Sequence, residues 1–469
     1  MFASLRFPDG KSYNEIYLPP EKFGLEALLD EVDLTPLQRD TILKYLPLSC
    51  DDPDVLSYRA ELATEVFTSG ELQRIFSQFA ALGEASFPIK HPHNSTAETD
   101  CVRTVTLFEE FSARFEHFRA ELEGVAPKSA AAVRFFRFCR NYAESFEYKE
   151  LKSRAADLRR DFGFERGYLV SLGNPKDQAP TVKLRTCNEA EGISDTVRRV
   201  MEEFGVVRPP VKNDKNRLCS DAEVAVLTGI IRKDPRLHHR LQEFTELYEA
   251  SGSGDLIRLC EEAVYYNAVN RLYLRWHEQG YTVCRPVFRN AGFYSEIFGL
   301  NYKTETDKIG KEDFITSPLN HITVVFGPDA GAYLDAVKTA HFFASSGGLI
   351  CAEGAEIAPI DRLERDKQES LHTEGLTEHS LCICGYMFDA MLPRQEDAAA
   401  AEVIDTLSKT CTRSVVRICC KSNLTALQKR MDGGTLPPCT LLQVGTDYTL
   451  EELLQRHKLT AKHLEEDEK

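Results

Sequence analysis

The chain has 469 residues, enough for two or three domains with sizeable cores. Charged residues make up 28% and hydrophobic ones 42%, the balance of an ordinary soluble globular protein. A formal net charge of −16 argues against a surface that coats nucleic acid broadly, while leaving room for a local basic groove.

No run of about 18 apolar residues occurs, so no membrane span is expected. Met1 to Asp9 lacks a basic segment followed by an apolar one, the mark of a signal peptide. The 14 cysteines include no C-x-x-C pair, and Cys382, Cys384, Cys419 and Cys420 sit inside apolar runs. That usage points to reduced, buried thiols in a cytoplasmic protein rather than to a zinc site, and no metal site is expected.

Residues 1–50 mix turn signals with short apolar runs and read as a small packed lead-in. Asp52-Pro53 reads as N-cap and first helical residue. Val55, Leu56, Leu62, Val66 and Phe67 continue that helix, and Leu72, Ile75, Phe76 and Phe79 extend the same pattern. Residues 87–100 read as a loop, and the two histidines of Lys90-His91-Pro92-His93 as polar loop residues rather than metal ligands. From Cys101, Phe108, Phe111, Phe115, Phe118 and Leu122 recur at helical spacing, one apolar stripe on a long helix. Phe135, Phe138, Tyr142 and Phe146 mark a second long helix. Such aromatic stripes are read as helix–helix core.

Tyr168, Val170 and Leu172 alternate, as do Val182, Leu184 and Thr186, which predicts a strand pair inserted among helices. Helical pattern resumes over 194–204 and 221–250, and a long helix covers 255–279 with the only Trp, Trp276, read as core. Arg208, Lys212, Lys215 and Arg217, then Arg232, Lys233, Arg236 and Arg240, form modest basic clusters read as solvated faces.

After Gly280 strands alternate with helices, the pattern of an α/β domain. The centre of that domain is His321 to Arg362. Ile322-Thr323-Val324-Val325-Phe326 reads as a buried strand, Gly327-Pro328-Asp329-Ala330-Gly331 as a glycine-bearing turn, and 332–344 as a helix. Strand, glycine turn and helix together make a phosphate site, because backbone N–H groups and a helix N-terminus face the anion. Further strands are expected near Leu349–Ala352, Ser380–Cys384 and Ser414–Cys419, a helix over 396–408, and a charged tail at the end.

The run Val324 to Gly331, followed at helix length by Ile350 to Arg362, of which Glu356-Ile357-Ala358-Pro359-Ile360-Asp361-Arg362 is the specific part, resembles the ATPase domain of MutS mismatch-repair proteins. Leu376 to Leu381 is similar to that family's lead into the Walker B strand, and Ser414 to Leu427 to its switch-histidine region. Leu48 to Phe67 is similar to a helix of its core or lever domain, and Tyr265 to Pro286 to the passage into the ATPase domain. The resemblance implies a mixed fold: an N-terminal, mostly α-helical core/lever domain followed by a C-terminal α/β P-loop (ABC-type) domain. It divides the chain into a helical lead-in over 1–100, a helical core with a β-hairpin over 101–280, a degenerate ATPase domain over 281–455 and a tail over 456–469.

Within that resemblance the catalytic groups are gone. The degenerate Walker A loop comprises Gly327, Pro328, Asp329, Ala330, Gly331, Ala332, Tyr333 and Leu334, with Tyr333 where the phosphate lysine falls and Leu334 where the Mg²⁺ hydroxyl falls. The Walker B Asp-Glu pair falls on Gly385 and Tyr386, and the switch histidine on Cys420. Neither Mg²⁺ binding nor base catalysis has a carrier, so no catalytic residue is assigned. Leu363 to His379 is too short for the glutamine loop and signature segment.

The resemblance therefore implies a non-catalytic scaffold that either associates with DNA or binds a partner, as a homodimer or paired with a MutS-like relative. ATP and Mg²⁺ are implied by the family alone, and no cofactor is expected. The alternative is a nucleotide binder with substitute ligands, drawn from Arg362, Asp361 and His341. A third reading is a structural dimer unrelated to DNA. There is no Gly-x-Ser-x-Gly elbow and no His-Glu-x-x-His.

Overall fold

A computed structural model describes residues 4–8, 13–86, 97–162, 167–172, 182–187, 231–232, 234–251, 253–289, 295–304, 306–315, 322–357, 382–383, 387–388, 414–418, 429, 432–434 and 439–445. The fold mixes helix and sheet. In chain order it runs β1 (Glu15–Tyr17), α1 (Leu25–Asp30), α2 (Pro36–Tyr45), β2 (Leu48–Cys50), α3 (Pro53–Thr68), α4 (Gly70–Ser86), α5 (Ala97–Glu121), α6 (Ala130–Glu144) and α7 (Phe146–Phe162). Then come β3 (Gly167–Leu172), β4 (Val182–Cys187), α8 (Pro235–Ala250), α9 (Ser253–Glu278), β5 (Val287–Phe288), β6 (Ser295–Lys303), β7 (Ile309–Ile315) and β8 (Ile322–Phe326). The last are α10 (Ala330–Ser345), β9 (Gly354–Ile357), β10 (Cys382–Ile383), β11 (Met387–Phe388), β12 (Ser414–Ile418) and β13 (Cys439–Gln443). Among the described residues no helix is long and apolar enough to cross a membrane.

Contacts divide the chain into two units. One comprises 1–3, 74–126 and 134–264; the other comprises 4–73, 127–133 and 265–469. This grouping differs from boundaries drawn along the sequence, because the N-terminal segment 4–73 packs with the C-terminal half rather than with the helices that follow it.

The first unit is held by aromatic side chains. Phe108, Phe111, Phe115 and Phe118 are all buried on one face of α5, as their spacing predicts. Phe115 packs edge-on against Tyr142 at 5.6 Å and Tyr148 at 5.8 Å, and Phe108 against Phe244 at 5.7 Å. Tyr148 also shares a hydrogen bond with Ser112 at 3.0 Å. β3 and β4 form the expected antiparallel pair, Val170 opposite Leu184.

Two helices expected to be continuous are broken, each by a serine. Ser145 separates α6 from α7; its hydroxyl accepts from the N–H of Tyr148 at 3.2 Å, capping the new helix. The break swings Phe146 off the stripe, and it is 74% exposed. Ser69 leaves the helical region between α3 and α4, and its hydroxyl accepts from the N–H of Leu72 at 3.3 Å. The Asp52-Pro53 start is as expected, with the Asp52 carboxylate accepting from the N–H groups of Asp54 and Val55.

In the second unit, β8 is the middle strand of a parallel sheet ordered β12-β8-β13, with Val324 opposite Val416 on one side and Leu441 on the other. A second sheet is ordered β5-β9-β6-β7. The strand expected near Leu349–Ala352 is reduced to one bridge between Ile350 and Cys284, because the Leu349 N–H is taken by the Tyr273 hydroxyl at 3.0 Å. β10 pairs antiparallel with β11.

The amino-terminal segment of this unit is tied by a buried charge cluster. Arg59, 1% exposed, and Arg6 both reach one oxygen of Glu15, at 2.8 and 2.5 Å. Arg59 also donates to the carbonyls of Arg6 at 3.0 Å and of Leu48 and Ser346 at 3.5 Å, and its guanidinium lies 4.8 Å from the Phe7 ring centroid. Gly347, at φ 80°, passes so close that a Cβ there would fall 2.5 Å from Arg59 Cβ.

Candidate functional site

The turn after β8 is where the sequence places a phosphate site. Phe326 ends the strand, and Gly327-Pro328-Asp329 leads directly into α10. The helix starts at Ala330, two residues before the expected start, so Ala330 and Gly331 belong to its first turn. Two of its first N–H groups are taken by backbone: the Ala330 N–H donates to the Gly327 carbonyl at 3.3 Å, and the Tyr333 N–H to the Asp329 carbonyl at 2.9 Å. Gly327 has φ 113°, and a Cβ there would collide with the Val444 carbonyl oxygen. The segment after β13 thus lies against the turn, fixed by the Val444 N–H donating to Phe326 at 2.9 Å. Gly445, at φ 85°, lies against the Asp329 carboxyl.

Tyr333 and Leu334 point into the core, with 0% and 2% exposure. The Tyr333 hydroxyl donates to the Asp313 carbonyl at 3.0 Å, and its ring meets Tyr302 edge-on at 5.7 Å. Burial, then the charges of Glu312, Tyr302 and Asp313, push the Tyr333 phenol well above its ordinary pKa. Tyr302 is pushed up to about 12 by burial and by Glu312 and Asp329. Glu312 is itself raised, by burial first and by Asp313 second. Asp329 is buried, 7% exposed, at the helix N-terminus.

Asp329 therefore sets a carboxylate at the turn, and Glu312 acts on the Tyr302 and Tyr333 phenols beside it. Lys338, in the next turns of α10, pairs with Asp335 at 3.4 Å. These side chains do not fit Mg²⁺·ATP. An anion at this helix end would meet the Asp329 carboxylate, and the positions from which a lysine and a hydroxyl would reach it hold an inward phenol and an inward isobutyl group.

Of the substitute ligands, His341 is described and lies in the core. Its Nδ1 is 2.9 Å from the Val337 carbonyl, its ring packs edge-on against Phe314 at 5.7 Å, and among the described residues Nε2 has no hydrogen-bond partner. Burial holds its pKa at about 4, so it is a neutral core group. Asp361, Arg362, Gly385, Tyr386 and Cys420 lie outside the described residues, as do His91, His93 and the basic residues 208–217. Arg232 pairs with Glu98 at 2.9 Å.

Sequence reasoning missed β13 and β7, both of which shape this site. Cys439 to Val444, an apolar run following Pro437-Pro438, carried the signal for β13. β7, Ile-Gly-Lys-Glu-Asp-Phe-Ile, buries only Phe314 and carries little periodic signal. Scanned against protein-family models and searched against curated proteins, the chain matches none.

Proposed function

We propose that this chain is a non-catalytic MutS-like protein, a helical core and lever joined to a degenerate P-loop domain, acting as a scaffold that associates with DNA and with a second subunit. The observation that carries the non-catalytic half is the inward Tyr333, hydrogen-bonded to Asp313 at the position of the phosphate lysine. The parallel order around β8, with α10 leaving its carboxyl end, is compatible with a P-loop ancestry. The MutS assignment itself rests on the sequence resemblance around 324–331 and 356–362.

Calorimetric titration with Mg²⁺·ATP, a turnover assay and a DNA mobility-shift assay over a salt series test the proposal. The expected result is no micromolar nucleotide binding, no turnover, and DNA binding that weakens as salt rises, since phosphate contacts release counterions. Nucleotide binding at micromolar concentration, lost on Gly327→Val, would support the ATP-binding alternative. DNA binding absent at low salt would leave only a protein-binding role.

A further inference from the structure

The outer face of α10 carries small side chains, Ala332, Ala336, Thr339 and Ala340, at helical spacing. Trp276 at the end of α9 and Tyr281 just beyond that helix line the other side, and Phe343 continues the same face of α10 one turn further on. Small residues facing large rings leave a cavity of about 290 Å³ within the second unit. That volume sits at the lower limit for pockets that enclose small organic ligands, roughly 300 Å³.

The charges at its mouth do not cancel. Lys303 is paired with Asp307 at 3.0 Å, and Lys338 with Asp335 at 3.4 Å. Glu31 accepts from the neutral Gln279 amide at 3.2 Å and lies within electrostatic reach of Lys303; of the three charged side chains that line the cavity, Glu31, Asp335 and Lys303, two are carboxylates. An aromatic wall beside an excess carboxylate favours a positive guest twice over, through the negative ring faces and through the carboxylate. A free anion or a neutral polar ligand gains neither.

We propose that the cavity between Trp276, Tyr281, Phe343 and the Ala336 face of α10 is a binding site for a small organic cation of the quaternary-ammonium or protonated-amine class, oriented by Glu31. This site is separate from the turn at Gly327 and does not depend on the nucleotide question. The cation's apolar groups cover Ala336 and Ala340 while its charge faces the ring of Trp276 and the Glu31 carboxylate. No covalent step is involved.

Trp276 is the only Trp in the chain, so its emission reads the cavity directly. The full-length protein is titrated with choline and, in parallel, with 3,3-dimethylbutan-1-ol, its uncharged isostere. The expected result is a saturable change in Trp276 emission with choline, and binding of the alcohol weaker by roughly tenfold or more. Glu31→Gln, an exposed substitution that leaves the core intact, should weaken choline several-fold and leave the alcohol unchanged. Ala336→Leu, which fills the space, should abolish both responses while the unfolding midpoint stays near that of the parent.

Equal affinity for cation and alcohol would overturn the proposal, as would an unchanged choline affinity in Glu31→Gln. The absence of a saturable response would do the same. If Ala336→Leu fails to fold, the charge comparison and Glu31→Gln decide alone. Neither readout uses ATP or DNA, so failure here is distinct from failure of the scaffold reading.

Discussion

The phenol of Tyr333 and the carbonyl of Asp313 meet at 3.0 Å, a part-buried hydrogen bond that turns the first helical turn after Gly327 inward. The bond anchors the first turn of α10 to β7. Tyr333→Phe should cost about 1 kcal/mol, the net worth of one such hydrogen bond. Tyr333→Ala should cost about 3–5 kcal/mol, because it also opens a ring-sized cavity. Tyr333→Lys should destabilise and still bind no ATP, since the Asp329 carboxylate at the turn remains. Urea unfolding midpoints together with nucleotide titration check all three; an ATPase gained by the lysine variant would show the site to be open.

Among the described residues, Glu15 is the one carboxylate that Arg6 and Arg59 both reach. Removing its charge leaves two buried guanidiniums facing each other, a situation that typically costs about 3–5 kcal/mol. Glu15→Gln should therefore unfold at markedly lower urea than the parent. The triple change Arg6→Met, Glu15→Leu, Arg59→Met should lose less than Glu15→Gln, because no unpaired charge remains. A triple variant weaker than the single one would mean that hydrogen bonds to carbonyls, rather than charge balance, dominate.

His341 makes the fold acid-sensitive. Its pKa lies at about 4 in the folded chain, lowered mainly by burial, against about 6.5 in an unfolded one. Between those values the unfolded state binds the extra proton, so stability falls as pH drops from about 6.5 towards 4. The contribution is complete above pH 6.5 and amounts to roughly 3 kcal/mol. His341→Leu should flatten the urea midpoint across this window, compared with the parent at each pH. Among the described residues Nε2 has no partner, so at pH 7 the substitution gives up only the Nδ1 contact with the Val337 carbonyl and should cost about 1 kcal/mol.

Gly445 and Asp329 form a coupled pair. Gly445→Ala adds a methyl group against the Asp329 carboxyl and at φ 85°, where side chains are strained. A loss of about 1–3 kcal/mol is expected. Adding Asp329→Ala should recover the steric part and leave the backbone part. A double-mutant cycle with zero coupling would show that the two do not touch.

Local signals that were strong in the sequence correspond to elements of the structure. The α5 stripe, the β3–β4 alternation, the Asp52-Pro53 start and the β8 run all have clear periods or caps. The two helices that periodicity joined share one cause. Ser69 and Ser145 each lie within an apolar pattern that continues on both sides, so periodicity alone joins the two helices. What breaks them is a hydroxyl bonded to the N–H three residues on, visible in sequence only as a serine at helix-start spacing. At the candidate site, the sequence shows Tyr333 and Leu334 without the positive charge that a phosphate needs. Their inward direction is not legible there, because it depends on the Asp313 carbonyl of β7, and β7 has little periodicity.

The Arg59 cluster also constrains when this protein can finish folding. Arg59 bonds the carbonyl of Ser346, 287 residues away, and Tyr266 donates to the Leu5 carbonyl across 261 residues. On a ribosome, the guanidiniums of the emerging N-terminal segment wait in water until those distant partners leave the exit tunnel. At usual synthesis rates that delay is on the order of tens of seconds. Nascent chains halted before residue 346 should thus keep their first seventy residues open to protease and to chaperones, while the intervening aromatic helices are already closed.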